Sequence, residues 1–337
     1  MFIRKSIITA MAMAVAAAGL TGCGASRESD TAGNTAVGSS SGRLSVVCTI
    51  FPEYDWVKQI MGDHADEADL TYLLSSGTDL HNYQPTASDI MKISTCDIFI
   101  HVGGESDKWV EDALDEADNK DMQVIDLMEL LGDSAKEEEV KEGMEAEEED
   151  EEEEEEGEVE YDEHIWLSLK NAKTACSAIS EVLSKADPDH AADYSSSLED
   201  YTKKLDEMDE SFRSITDSAK NKTLIFGDRF PFRYLFDDYG LDYYAAFVGC
   251  SAESEASFST ISFLSEKLDQ LECDTIFTIE NSDKSIAEAV IRNSGRKDCS
   301  VAELNSIQSV TMNDVNSGVT YLSLMQQNCD VLAEYLG

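Results

Sequence analysis

The chain has 337 residues, long enough for two domains with cores of their own. Seventy acidic against 25 basic side chains give a formal charge of −45. That sign excludes a nucleic-acid partner, whose phosphates demand a basic face. About 18 of the excess negative charges fall in residues 137–163, so the remainder is acidic but ordinary.

Arg4-Lys5 precedes an almost wholly apolar, Ala-rich run from Ile7 to Leu20, which ends in Leu20-Thr-Gly-Cys23. The order basic, apolar, Leu-x-Gly-Cys is that of a bacterial lipobox. The run is too short and wrongly flanked for a membrane span, so residues 1–22 are expected to be a cleaved signal. Cys23 is then the lipid-modified first residue. Residues 23–43, rich in Ser, Gly, Thr and Ala, form a flexible tether to a body on the extracytoplasmic face of the cell membrane. Seven further cysteines, scattered, odd in number and without Cys-x-x-Cys, make neither a disulfide framework nor a zinc–thiolate site, though one bridged pair stays open.

In chain order, Leu44–Ile50 predicts a buried strand, Pro52–Met61 a helix, Leu70–Leu74 a strand, Thr86–Ser94 a helix and Cys96–Ile100 a strand. Trp109–Ala117 predicts a helix and Met122–Ile125 a fourth strand. This alternation is that of a parallel sheet covered on both faces. A disordered acidic loop over about 133–161 follows. Ser168–Lys185 then reads as an amphipathic helix, stopped by Asp187-Pro188. Residues 188–220 carry a Tyr194, Leu198, Tyr201, Leu205, Met208, Phe212, Ile215 stripe and predict one long linking helix. The alternation restarts with strands at Thr223–Phe226, Leu241–Phe247, Thr275–Ile279 and Ser300–Leu304. Helices fit Phe232–Tyr239, Ser257–Leu271, Ser285–Arg292 and Asn316–Leu336. The expected fold is α/β, with lobes at 44–187 and 221–337, each a four-stranded, mainly parallel sheet, joined by one rigid helix.

Ligands of open α/β sheets gather at the carboxyl ends of strands. His81 lies in the loop after the second strand, and His164 closes the loop after the fourth. Asp228 follows the strand ending Ile225-Phe226, and Glu280 follows Thr275–Ile279. Two imidazoles from one lobe and two carboxylates from the other can converge on a metal ion. That N/O set suits zinc or manganese better than calcium or magnesium. The bland alternatives are polar loop histidines, with Asp228 and Glu280 capping the helices that follow. His101 also ends a strand and is a candidate pocket residue, whereas His64 and His190 read as exposed helix-end residues. No Gly-x-Ser-x-Gly elbow, P-loop, dinucleotide Gly-x-Gly-x-x-Gly or His-Glu-x-x-His is present, so no enzyme reading finds support.

From Leu44 to Leu336 the chain resembles the zinc/manganese-type solute-binding lipoproteins of bacterial ABC transporters. Asp79-Leu-His-Asn-Tyr-Gln-Pro-Thr86, Asp162-Glu-His-Ile-Trp-Leu-Ser168 and Phe236-Asp-Asp-Tyr-Gly-Leu241 carry the resemblance. It implies one metal ion in an interlobe cleft, with His81 and His164 as first-lobe ligands. The second lobe departs from the pattern. The family's third ligand position falls on Arg229, which has no lone pair to offer, so Asp228 is expected in its place. Arg229 would then pair with Glu253 or Glu255. The fourth position falls about Asn305, a poor ligand, and Glu280 is expected as the substitute. The acidic tract stands where zinc-type members carry a His-rich loop, but it has no His before His164.

The expected function is therefore extracytoplasmic capture of Zn2+, with Mn2+ as the alternative, and its delivery by a monomeric receptor to an ABC permease. The competing reading is a surface lipoprotein with an adhesion or partner-binding role.

Overall fold

The computed structural model describes residues 42–145, 160–251 and 255–336. The lipobox, Cys23 and the tether up to residue 41 lie outside the described residues, as do Glu253 and residues 146–159 of the acidic tract.

The first lobe contains β1 (Ser45–Cys48), α1 (Phe51–Met61), β2 (Asp69–Tyr72), α2 (Ala87–Thr95), β3 (Ile98–His101), α3 (Trp109–Asp115), β4 (Gln123–Asp126), the short α4 (Leu127–Leu131) and α5 (Leu169–Ala186). After α6 (Ala191–Ser218) come β5 (Thr223–Phe230), α7 (Arg233–Tyr239), β6 (Asp242–Val248), α8 (Phe258–Gln270), β7 (Thr275–Ile279), α9 (Ser285–Asn293), β8 (Ser300–Leu304), α10 (Met312–Asn316) and α11 (Tyr321–Leu336). The sheets have the orders β2-β1-β3-β4 and β6-β5-β7-β8, and every named pairing is parallel.

Burial explains the strand order. The central strands β3 and β7 are buried at every residue, as expected where helices cover both faces, while the edge strands β2 and β4 are partly exposed. In each sheet the chain reverses direction of winding between the two central strands. The carboxyl ends of β1 and β3, and of β5 and β7, therefore bound the crevices where ligands settle.

The long helix α6 has 28 residues and spans ~42 Å at 1.5 Å per residue. Tyr194, Tyr201, Leu205, Met208 and Phe212 of the expected stripe are buried, and Leu198 and Ile215 pack at its margin. It lies against α1 and α5 of the first lobe and against α7 and α11 of the second. A single apolar cluster consequently runs from Val46 through α6 to Leu336. The two sheets share one compact unit.

Tyr321, at the start of α11, fastens this junction. Its hydroxyl donates to the Trp166 carbonyl at 2.6 Å, and its amide donates to Asp55 of α1 at 3.0 Å. Its ring meets Trp56 edge-on, with centroids 5.2 Å apart. The helix expected over Asn316–Leu336 starts later, at Tyr321, because Asn316 ends the short α10 and Gly318 adopts φ +96° between the two helices.

The largest departure concerns the acidic loop. Residues 133–145 have defined contacts, although the sequence predicts disorder there. Glu137 bridges Tyr161 in antiparallel fashion, Asp162 donates to the Lys136 carbonyl at 2.8 Å, and both arms rest on the Tyr234 hydroxyl. The outgoing arm crosses to the second lobe, where Glu145 pairs with Phe247 on the free edge of β6. Lys141 pairs with Asp242 and lies 3.9 Å from the Tyr243 ring centroid. A run of like charge is ordered here by backbone pairing and by the few cations within its reach.

Replacing Tyr321 by Phe leaves the buried Trp166 carbonyl without its partner and is expected to cost about 1–3 kcal/mol. Urea unfolding should show a lower midpoint with an unchanged slope.

Candidate metal centre

His81 is set by a short turn. The Asp79 side chain accepts from the His81 amide at 3.0 Å and starts the 3-10 turn Leu80–Asn82, whose Leu80 is buried. Each polar or aromatic member of Asp162–Ser168 also has a partner. One oxygen of Asp162 accepts from both the His164 amide, at 2.8 Å, and His164 Nδ1, at 3.0 Å. Glu163 accepts from the Ser106 amide at 2.8 Å. Trp166 donates to the Ser306 carbonyl in the second lobe at 2.8 Å, and Ser168 caps α5. Gly104, at φ +79°, lies so close to Glu163 that any Cβ would overlap its carboxylate.

These devices bring His81 Nε2 and His164 Nε2 to 3.2 Å, with His164 fully buried and the His81 side chain 7% exposed. A carboxylate only accepts, so His164 carries its proton on Nδ1 and turns a lone pair from Nε2 toward His81. His81 Nδ1 lies 2.8 Å from the Ser106 hydroxyl, which can donate or accept. Burial first, and then the neighbouring His164 with a contribution from Arg229, lowers the His81 imidazole to about 3, against the opposing pull of Asp79. It is a neutral nitrogen donor across the physiological range.

The second lobe answers with Cys250, which sequence reading leaves among the ordinary thiols. Among the described residues, His81, His164 and Cys250 form a group of possible donors whose ligand atoms all lie within 4.8 Å of one another. Cys250 follows β6, and Gly249 lets the backbone close on the His164 ring, where a Cβ would stand 3.2 Å from Nδ1. The Cys250 amide donates to Glu138 of the acidic arm at 3.1 Å. Burial, then the carboxylates of Asp162, Glu138 and Glu163, push the Cys250 thiol well up. No signal in the linear sequence marks Cys250, because its place depends on the approach of β6 to His164.

The two carboxylates expected from this lobe do not join that group. Asp228 and Arg229 lie at a register shift in β5 that turns them to different partners. Asp228 accepts from the Arg229 amide at 2.9 Å and the Ile279 amide at 3.4 Å, and burial, opposed by these bonds, raises its carboxyl. Glu280 is buried and bound to the Ser306 amide at 2.7 Å and the Ser306 hydroxyl at 2.8 Å, so it orders the loop after β8. Neither caps a following helix. Arg229 forms its ion pair with Asp79 across the lobes, not with Glu255, which is exposed. Burial works against ionising Asp79, but Arg229 and the His81 region hold its carboxyl below the usual range. Asn305 accepts from the Ile307 amide at 2.8 Å and serves a turn. His101 is buried beside Asp107, with Nδ1 3.4 Å from its carboxylate, and stays outside the donor group.

Residues 46–335 match the model of the family described as "ZnuA: Zinc-uptake complex component A periplasmic". The chain belongs to this family. Among ZnuA-family relatives, it is 29% identical over 299 residues to the "Zinc-binding lipoprotein AdcA" of Streptococcus pneumoniae, covering 88% of this chain and 56% of that protein. It thus spans about half the length of that relative. The "High-affinity zinc uptake system protein ZnuA" of Bacillus subtilis is 27% identical over 301 residues, covering 88% of this chain and 89% of that one. A crystal structure of the Zn(II)-bound ZnuA-like domain of S. pneumoniae AdcA superposes with a TM-score of 0.67 at 27% identity, covering 88% and 99% of the two chains. The likeness extends through both lobes of the ZnuA-type fold.

Glu163 offers a measurement of how dry the centre is. Burial, above all, pushes its carboxyl up to about 7, with Asp107 adding and the Ser106 amide opposing. The folded state therefore favours the protonated form. The stability this contributes is full below about pH 4.5 and is lost as pH rises through about 7. Glu163→Gln should stabilise the metal-free protein on the order of 2 kcal/mol at pH 8 and little at pH 4.5, read from urea unfolding at the two pH values.

Proposed function

We propose that the protein is an extracytoplasmic receptor that captures Zn2+ between His81, His164 and Cys250 and delivers it to an ABC permease. The observation that carries this reading is the 3.2 Å between two imidazole nitrogens whose other nitrogens already have partners. Two nitrogens bound to one tetrahedral zinc ion at about 2.05 Å stand roughly 3.3 Å apart. In the metal-free site one N–H must lie between the rings. A cation replaces it, and the displaced proton on His81 can pass to Nδ1, where the Ser106 hydroxyl accepts.

Cys250 supplies the step that makes capture dependent on the ion. Its thiol is held protonated by burial and by three neighbouring carboxylates, so a thiolate forms there when a cation joins it and the thiol proton is released to solvent. Those carboxylates then offset the ion's charge without binding it. Two imidazoles and a thiolate favour zinc over manganese, whose preference is for oxygen donors. The family match and the zinc-binding relatives support the same cargo. Anchoring through a lipid on Cys23 would keep the receptor beside its permease, consistent with the AdcA description as a lipoprotein. No observation among the described residues favours an adhesion role over this one.

Competition titrations with a zinc chelator test the site. His81→Ala or His164→Ala should weaken zinc by more than the roughly 10–100-fold typical of losing an outer-shell partner. Cys250→Ser should weaken zinc more than manganese. Unchanged zinc affinity in the His81→Ala, His164→Ala double variant would reject the centre, and unchanged affinity in Cys250→Ser would remove the thiol from it.

A further inference from the structure

Four of the five histidines fall into two pairs, and the centre above accounts for one. The other pair is His64, in the 3-10 turn Gly62–Glu67, and His190, the N-cap of α6. They come from positions 126 residues apart, yet their rings stack with centroids 3.9 Å apart at 28°. We propose that His64, His190 and Glu67 form a second, weaker binding site for a divalent transition metal, zinc being the fitting ion, on the outer edge of the first lobe.

The donors meet the chemical requirements. Among the described residues, one ligand atom each from His64, Glu67 and His190 lie within 4.8 Å of one another. Each ring has one nitrogen engaged by a carboxylate: His64 Nε2 lies 3.0 Å from Asp193, and His190 Nδ1 lies 2.7 Å from Asp187. Asp187 is itself held by the Tyr194 hydroxyl at 2.6 Å. This carboxylate–imidazole pairing is what orients metal-binding histidines and raises their basicity. It leaves His64 Nδ1 and His190 Nε2 for an ion. His64 Nδ1 stands 3.7 Å from the Glu67 carboxylate, too far for a hydrogen bond and near the roughly 3.3 Å of two ligands sharing a zinc ion.

There is also room. A hollow of about 380 Å³ lies against these residues. Its lining includes Leu44, His64, Glu67, Asp97, Asp187, His190 and also Arg43, whose guanidinium is turned to the backbone carbonyls of Asp66, Glu67 and Ala68. The side chains of His64 and His190 are 23% and 34% exposed, so the stacked rings can tilt apart around an ion without disturbing a core. The positive end of α6 works against a cation here. Asp187, Asp193 and Glu67, all within ion-pairing distance of the two rings, offset it. Both groups offer three donors, but here a carboxylate stands in place of a thiolate and Glu67 is exposed to water, which makes the site weaker and faster to exchange than the buried centre.

Leu44 and Asp97 immediately precede β1 and β3, so this hollow is at the amino ends of the strands. The His81–His164 centre lies among loops that follow strands. The two sites are therefore separate and can be read independently.

The test is zinc titration of the full chain carrying isotope-labelled histidine, followed by ring signals in NMR, with chelator competition for affinities. Wild type should show a tight and a weaker class of binding, the weaker one shifting the His64 and His190 rings. The His64→Asn, His190→Asn variant should lose the weaker class and keep the tight one. Asp193→Asn, which keeps both rings, should weaken that class about tenfold or more. The idea is overturned if the later zinc leaves both rings unmoved, or if the weaker class survives in the double variant because the acidic tract holds it. A His81→Ala, His164→Ala variant that keeps the weaker class supports this site even where it lacks the tight one. If that variant keeps tight binding, the buried centre is refuted and the His64–His190 reading is judged by its own ring shifts.

Discussion

One carboxylate oxygen governs the centre of this molecule. Asp162 accepts from both the amide and the ring of His164, and so fixes the tautomer, the direction of the lone pair and the local chain path at once. An imidazole with 0% exposure has no solvent to correct its orientation, so this bond decides whether the site presents a base or an N–H. The neighbours are arranged around that decision. Tyr234 holds the Asp162 carbonyl, Gly104 makes room for Glu163, and Gly249 admits the second lobe's backbone to the ring.

The acidic tract then has two characters within one segment. Its root is structural: residues 136–145 pair with the returning arm, cover part of the free β6 edge and bond to the Cys250 amide through Glu138. Covering an edge strand removes a template for unwanted pairing. The loop thereby ties the thiol-bearing turn to the first-lobe histidine motif. Charge alone does not order such a segment. Tyr234, Lys141 and the backbone partners do.

The division between what was readable in the chain and what was not follows sequence distance. The α/β alternation, the long helix and its buried stripe were legible because each rests on local periodicity. The local order around His164 was legible for the same reason, since Asp162 acts from two positions away and Ser168 starts the next helix. The partners of Glu163 and Trp166 lie 57 and 140 residues off and were not. Asp228 and Glu280 stand apart from the His81–His164–Cys250 group because a position after a strand specifies where a side chain begins, not which amides it meets. Arg229 was seen to be unfit as a ligand, but its partner Asp79 lies 150 residues away, as no local rule could anticipate. Cys250 and the His64–His190 stack were missed for that reason too. Each becomes chemically distinctive through contacts with segments remote in the chain. Ordered residues in the acidic run were missed because composition reports self-repulsion and says nothing of an aromatic hydroxyl waiting on another helix.

The shared apolar cluster along α6, pinned by Tyr321, has a kinetic consequence. Opening the crevice by swinging one sheet away from the other would expose large rings such as Trp166, Phe212 and Tyr321, each buried to within 2% of full enclosure. At about 25 cal/mol per Å² of apolar surface, that is a barrier of several kcal/mol before any ion–ligand bond is broken. A less costly route moves only the turn at residues 249–251 and the arm that holds it. Residence time of an ion at the proposed centre is then a local property of that turn, set apart from the stability of the helices and sheets.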